Sequence, residues 1–181
     1  MGAGDDTTRT AAARLRLLGA EFTTPRRAAR PAAPPTPRPA HSAAPVDLGV
    51  VDHMAATLRE LVTHARAANP QAGPPPEDGD DVYQWWSTNT AHLDGERARH
   101  RDALVHRQAL EHAIRLGEET VIRRIPCPGC RCWGLFWRPA SQRAVCVNRH
   151  CRPGKGPSVW TLRQLAEYQV DRRERGQRTA T

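Results

Sequence analysis

Cys127-Pro128-Gly129-Cys130 and Cys146-Val147-Asn148-Arg149-His150-Cys151 are separated by 15 residues, and this arrangement constrains the chain more than any other feature. Each pair is close enough in sequence to wrap around one ion. Together they supply four thiolates, the donor set of a tetrahedral structural Zn²⁺ site. Between the pairs, Trp133 to Trp137 and Arg143 to Val147 read as short strands joined by a Pro139-Ala140-Ser141-Gln142 turn. Such a hairpin folds the second pair beneath the first, and the Pro-Gly turn lets backbone amides face sulfur. Cys127, Cys130, Cys146 and Cys151 are therefore the expected ligands of one structural Zn²⁺, whose binding supplies folding free energy that so small a core lacks.

The fifth thiol, Cys132, is surplus. It reads as a small buried residue at the start of a strand, with exchange into the ligand set as an alternative. His150, beside Cys151, is a second candidate for exchange. Paired knuckles around a hairpin favour zinc over an iron–sulfur cluster. No βαβ pattern precedes Cys127-Pro128-Gly129-Cys130, so disulfide exchange of the thioredoxin type has no frame here. All five cysteines fall within 127–151, and the N-terminus has no apolar core of the about 7–15 residues a secretory signal needs. Metal-bound thiolates in a reducing cytoplasm are the expected state. Nothing approaches the roughly 20 apolar residues that span a bilayer, so no membrane association is expected.

Upstream, the apolar material is thin, with two Phe, two Tyr and 16 Pro in 181 residues. Residues 1–45 are rich in Ala, Arg and Pro and read as a disordered tail with polyproline character, in which a marginal helix over Thr10 to Leu18 could place Leu15 and Leu18 on one face. In 46–70 the spacing of Met54, Leu58, Leu61, Val62 and Ala65 predicts an amphipathic helix over 52–68, capped by Asp52 and stopped by Asn69-Pro70. Residues 71–81, with Pro74, Pro75 and Pro76 before Glu77, Asp78, Asp80 and Asp81, read as an acidic linker. The 82–126 segment is helical: Val82, Trp85, Trp86 and Leu93 open it, a long helix follows from Gly95 to Leu116, and Gly117 ends it. Val121 to Pro126 reads as an extended bridge. The 127–170 module closes with a possible third strand at Ser158 to Trp160 and a helix started by the Thr161 to Gln164 capping box. Residues 171–181 read as a frayed basic tail. The fold class is thus α+β: a helical segment followed by a small C-terminal zinc ribbon, a β-hairpin plus helix.

Positive charge is carried by 26 Arg and one Lys, a bias matching a GC-rich coding genome, and it is uneven: +4 over 1–45, −4 over 46–126 and +8 over 127–181. A basic C-terminal third favours an anionic partner, DNA or RNA. Trp133, Phe136, Trp137 and Trp160 stand among these cations and could stack bases, although strand alternation must put about half of the ring surface inside. Arg149, Arg152, Lys155, Arg138 and Arg143 are the candidate nucleic-acid contacts, with the Gly-flanked Arg152 to Lys155 loop foremost. The alternative is a protein–protein adaptor whose zinc ribbon is purely structural and whose basicity is incidental.

The Cys127-x-x-Cys130 and Cys146-x4-Cys151 pairs with the trailing Trp160-Thr161-Leu162 helix start resemble the zinc-ribbon class. The stretch from Val82 to Val170 is similar to small, largely uncharacterised zinc-ribbon proteins of actinobacterial genomes, phages and mobile elements. The resemblance implies a metal site and a ribbon fold, whereas ribbons serve transcription, replication, translation and plain protein contacts alike. Leu162 to Glu167 also resembles the first helix of a helix-turn-helix, but only 11 mostly polar residues follow Val170 and no recognition helix can form from them.

No phosphate loop, nucleophile elbow, dinucleotide fingerprint or His-Glu-x-x-His motif is present, and the eight histidines read as surface or helix-face residues. An enzyme is not expected.

Overall fold

The computed structural model describes residues 3–23, 48–151 and 158–178. Helices α1 (Ala3–Thr23), α2 (Leu48–Ala68), α3 (Gly79–Thr90) and α4 (Gly95–Arg115) form a body; a turn of helix, α5 (Thr120–Arg123), leads into strands β1 (Leu135–Arg138), β2 (Arg143–Cys146) and β3 (Val159–Trp160), and α6 (Leu162–Arg178) closes the chain. The sheet is antiparallel in the order β1-β2-β3. The architecture is therefore helix plus a small three-stranded sheet.

Two cores share α4. In the helical body, Leu15, Leu61, Val82, Tyr83, Trp86 and Val105 pack together from all four helices. In the C-terminal module, Leu110 of α4 meets Ile122, Leu135, Trp137, Ala144 and Leu165. Successive residues of α4 thus serve opposite neighbours: Leu104, Val105 and Ala109 face the body and Leu110 faces the sheet side. Several polar groups are paired between the helices: the Tyr83 hydroxyl donates to Gln108 Oε1 at 2.9 Å, Gln108 Nε2 donates to Glu60 at 3.0 Å, and the Trp86 indole donates to His64 Nδ1 at 3.1 Å. An unpaired group here would cost about 1–3 kcal/mol, so these bonds fix how α2, α3 and α4 meet.

The stop of α4 has a full hydrogen-bonded end. Gly117 takes φ +79°, its N–H donates to Ile114 O at 3.0 Å, and the Glu118 N–H donates to Ala113 O at 2.8 Å. This is the Schellman arrangement, in which a left-handed residue lets the last carbonyls find donors. No side chain or backbone atom lies within 4 Å of where a Cβ would sit. Gly117→Ala should therefore destabilise the protein by only about 1–2 kcal/mol, through backbone strain alone. A urea titration checks this; a loss above about 3 kcal/mol would show that the strain account is insufficient.

Five expectations about elements change. Residues 1–45 are not uniformly a tail: α1 spans Ala3–Thr23, because Ala11, Leu15 and Leu18, all at most 2% exposed, form a stripe that inserts against α3 and α4. The polyproline segment lies outside the described residues. α2 begins at Leu48 rather than 52, since Val50 fills a core site, and Asp52 is inside the helix. The acidic run is a helix start rather than a linker: the Asp78 carboxylate accepts the Asp80 N–H at 2.8 Å, and Asp80 and Asp81 sit in the first turn, where the helix dipole favours them. Val121 to Arg123 are helical rather than extended, because Ile122 must turn inward to 0% exposure. α6 does not fray at Asp171 but runs to Arg178, held by Arg173 Nη1 donating to Thr7 Oγ1 at 3.0 Å and by Arg99 at 4.0 Å from Glu174.

Histidines also depart from the surface reading. His112 is fully buried and its Nδ1–H donates to Ala11 O of α1 at 3.1 Å; His53 of α2 stands edge-on to it, with ring centroids 5.2 Å apart. Leu and Ala spacing alone assigns these positions to solvent, because it does not show that α1 covers this face.

Candidate metal centre

The first pair of thiols comes from the turn after α5, where the Arg131 N–H donates to Cys127 O at 2.8 Å and the Cys127 N–H to Cys132 O at 2.9 Å. These two bonds close the loop tightly enough to force Arg131 to φ 61°, a conformation that costs a non-glycine residue about 1 kcal/mol. The second pair comes from the end of β2 and the turn beyond it. Cys146 N–H donates to Ser158 O of the β3 side at 2.9 Å, and Cys151 N–H donates to Asn148 O at 2.9 Å. The Ser158 hydroxyl donates to the Cys151 backbone carbonyl, anchoring the start of β3 to the backbone of the fourth cysteine.

The four sulfurs lie within 4.8 Å of one another, with Cys127 Sγ 3.5 Å from Cys151 Sγ and Cys130 Sγ 3.7 Å from Cys146 Sγ. Zinc–thiolate bonds of about 2.3 Å give a tetrahedron whose edges are about 3.8 Å. A disulfide needs sulfurs about 2.05 Å apart, and all five cysteines are free. The arrangement is thus a four-thiol cage of a size that could hold one metal ion, made from the four residues the spacing singles out.

Protons and charge at the site point the same way. Burial pushes the Cys146 thiol up to about 12 and also raises Cys151, whereas the Cys132 backbone N–H facing its sulfur lowers Cys130 to about 6. The Asn148 N–H plays the corresponding part at Cys146. Each knuckle thus turns an amide from two residues downstream onto a sulfur. Thiolates crowded together need a counter-charge, which a bound cation would supply, so metal uptake here would release protons.

Cys132 is exposed rather than buried, because the tight knuckle ends one residue before it and carries its side chain outward; Asn148 Nδ2 donates to its sulfur at 3.6 Å. Neither Cys132 nor His150 belongs to the cage. His150 is exposed, with its backbone N–H donating to Asn148 Oδ1 at 3.0 Å.

Around the cage the sheet sorts its side chains by face. The register pairs Leu135 with Cys146 and Trp137 with Ala144, all inward and buried, while Phe136 opposes Val145 and Arg138 opposes Arg143 on the outer face. The aromatic residues therefore divide: Trp137 is core, Trp160 packs against it, and Trp133 and Phe136 stand 65% and 39% exposed. Of the candidate nucleic-acid residues, Arg138, Arg143 and Arg149 are exposed, and Arg152 and Lys155 lie outside the described residues. Two arginines that sequence spacing does not single out join this side: the Arg123 guanidinium sits 4.6 Å over the Phe136 ring and Arg172 sits 5.8 Å over Trp133. Their distance along the chain from the hairpin hides them.

No family profile, curated protein or solved structure matches this chain. Among the described residues no helix is long and apolar enough to cross a membrane. The fold and site define a helical body carrying a small sheet beside a four-cysteine cage that could hold a metal ion.

Proposed function

We propose that this protein is a non-catalytic accessory or regulatory factor whose C-terminal zinc ribbon, held by one structural Zn²⁺ on Cys127, Cys130, Cys146 and Cys151, contacts nucleic acid through its basic surface. The observation that carries this reading is charge: from Thr120 to Ala166 the chain holds nine Arg and Lys residues and no Asp or Glu. Even the net −2 of a zinc bound by four thiolates leaves this segment strongly positive. Arg138 directly opposite Arg143 supports it further, since like charges facing across a strand pair repel and a phosphate between them relieves the repulsion. The reducing cytoplasm suits exposed Cys132 and metal-bound thiolates.

Gel-shift titrations of the zinc-loaded chain at two salt concentrations test the reading. Binding should weaken steeply with salt, and the double variant Arg138→Ala, Arg143→Ala should flatten the log–log salt slope by about 1.4–1.8, or about 0.7–0.9 for each phosphate that is no longer neutralised. No shift with any nucleic acid at low salt would sink it.

A second reading, a protein–protein adaptor, is favoured by the apolar exposure of Trp133, Phe136 and Val147 on the same module. It expects no salt-dependent nucleic-acid binding.

A further inference from the structure

We infer that the exposed surface of the hairpin module binds single-stranded nucleic acid by stacking, with unpaired bases lying on Trp133 and Phe136 and the phosphates held by Arg138, Arg143, Arg123 and Arg172. This rests on the nucleic-acid reading above and specifies the ligand and the residues that select it.

The starting observation is the cost of leaving these rings in water. The module has few large apolar side chains, and it buries Trp137 and Leu135 while presenting Trp133 and Phe136. Strand alternation accounts for Phe136 facing outward but not for a Phe being placed there, and Trp133 precedes the strand altogether. Beside them, Val147 is 58% exposed, which extends the apolar strip along the second cysteine loop.

Each exposed ring is matched to a cation. Arg123 comes from α5 and Arg172 from α6, and each places its guanidinium over one aromatic ring. A guanidinium on a ring keeps its N–H donors free at the edge, directed at whatever anion follows the base. Trp133 keeps 65% of its surface exposed and Phe136 39%. Aromatic surface for bases flanked by fixed donors for the backbone is the pairing that single strands require, because every base has a stacking face and the sugar-phosphate chain runs alongside. A duplex offers this surface much less: its bases are already stacked on one another, so only the phosphates would be engaged. Stacking does not consult the 2′-hydroxyl, so deoxy and ribo strands belong to the same ligand class here.

Charge complementarity favours a polyanion over an apolar protein segment as occupant. The strands and cysteine loops around the rings carry cations only, and an apolar partner would have to desolvate Arg138 and Arg143 with no carboxylate to meet them.

Fluorescence anisotropy with a labelled oligothymidine, its ribo counterpart and a duplex of the same length tests the assignment on the full, zinc-loaded chain. The single strands should bind tighter than the duplex. Trp133→Ala should weaken single-strand binding roughly tenfold and Phe136→Ala by a similar or smaller factor, whereas duplex binding should change by less than about twofold. Trp133→Phe, which keeps a stacking face, should recover most of the affinity. Because both rings are on the surface, metal content and thermal midpoint should be those of the unaltered protein, which distinguishes a missing stacking face from a damaged fold. If all three ligands bind equally and the alanine variants bind as well as the parent, the stacking platform is overturned while the basic-surface reading stands. If nothing binds at low salt, both fall together.

Discussion

Removing the metal should unfold the C-terminal module outright. The core there is a handful of side chains, Leu135, Trp137, Ala144 and Leu165 among them, packed against Leu110 and Ile122. The two knuckles that position it contain no other staple, since all cysteines are free. Structural zinc in comparably small folds contributes about 10–16 kcal/mol of apparent binding free energy, far more than such a core offers. Cys127→Ser and Cys146→Ser replace ligands at 0% and 8% exposure, so each should abolish stoichiometric metal and the folded sheet together. The exposed Cys132→Ser should change stability by less than about 0.5 kcal/mol and leave metal content intact. One zinc per chain by elemental analysis, and loss of sheet signals after chelation, are the expected results. A metal-free protein with an intact sheet would overturn the assignment. The damage should not stop at the module: α6 packs along α4 and touches α1 through Arg173, so its far end should loosen as well.

Acidification should destabilise the helical body, and the histidines decide the sign. Burial holds His112 down to about 3, with His53 adding to the effect; burial and the neighbouring Arg173 and Arg14 hold His106 down to about 4; and burial with Arg115 and Arg107 holds His53 to about 4. These groups are neutral in the fold and take up a proton near pH 6.5 once unfolded. Between those values the unfolded chain binds more protons, so stability is complete above about pH 6.5 and falls as pH drops toward 4. At pH 5, His106 and His112 should each remove about 2 kcal/mol; His53, half-buried and partly solvated, removes less. Set against a typical total of about 5–15 kcal/mol, that is a large fraction. Protonating the thiolates acts in the same direction, so urea midpoints at pH 7.5 and pH 5 should be compared with those of His112→Phe, which lacks one of the protons but keeps the cage. A pH dependence identical in the variant would refute the role of His112.

The cage, the hairpin and the helix stops were legible in the sequence because each depends on local chemistry. Cys127 and Cys130 are close enough to reach one ion together, Gly117 takes φ +79° without the strain a side chain would bring, and Thr161 with Gln164 forms the reciprocal cap, Thr161 N–H to Gln164 Oε1 at 2.9 Å and Gln164 N–H to Thr161 Oγ1 at 3.0 Å. What escaped depends on partners distant in the chain. α1 looks marginal alone because its buried stripe is short and partly Ala and Thr; it gains its stability from α4, where His112 and Ala109 meet it through the Ala11 carbonyl and the Arg14 guanidinium. Asp78 to Asp81 look like a solvated run until Arg16 of α1 is placed beside Asp80 at 2.5 Å. The division of the aromatic residues into core and surface followed from the register, which alternation alone could not supply.

That register ties the ion to the choice of presented rings. Leu135 pairs with Cys146, so a thiol of the cage sits within the strand ladder itself. Sliding β2 by one residue against β1 would turn Cys146 away from the other three sulfurs and reverse which side chains of the slipped strand meet the core. A metal held in the cage would therefore proofread the hairpin: only the alignment that completes the cage keeps Ala144 inside opposite Trp137 and Val145 outside opposite Phe136. An ion enclosed among four sulfurs would thereby govern a surface it never touches, and metal scarcity would erase that surface's identity before any outward-facing residue had changed.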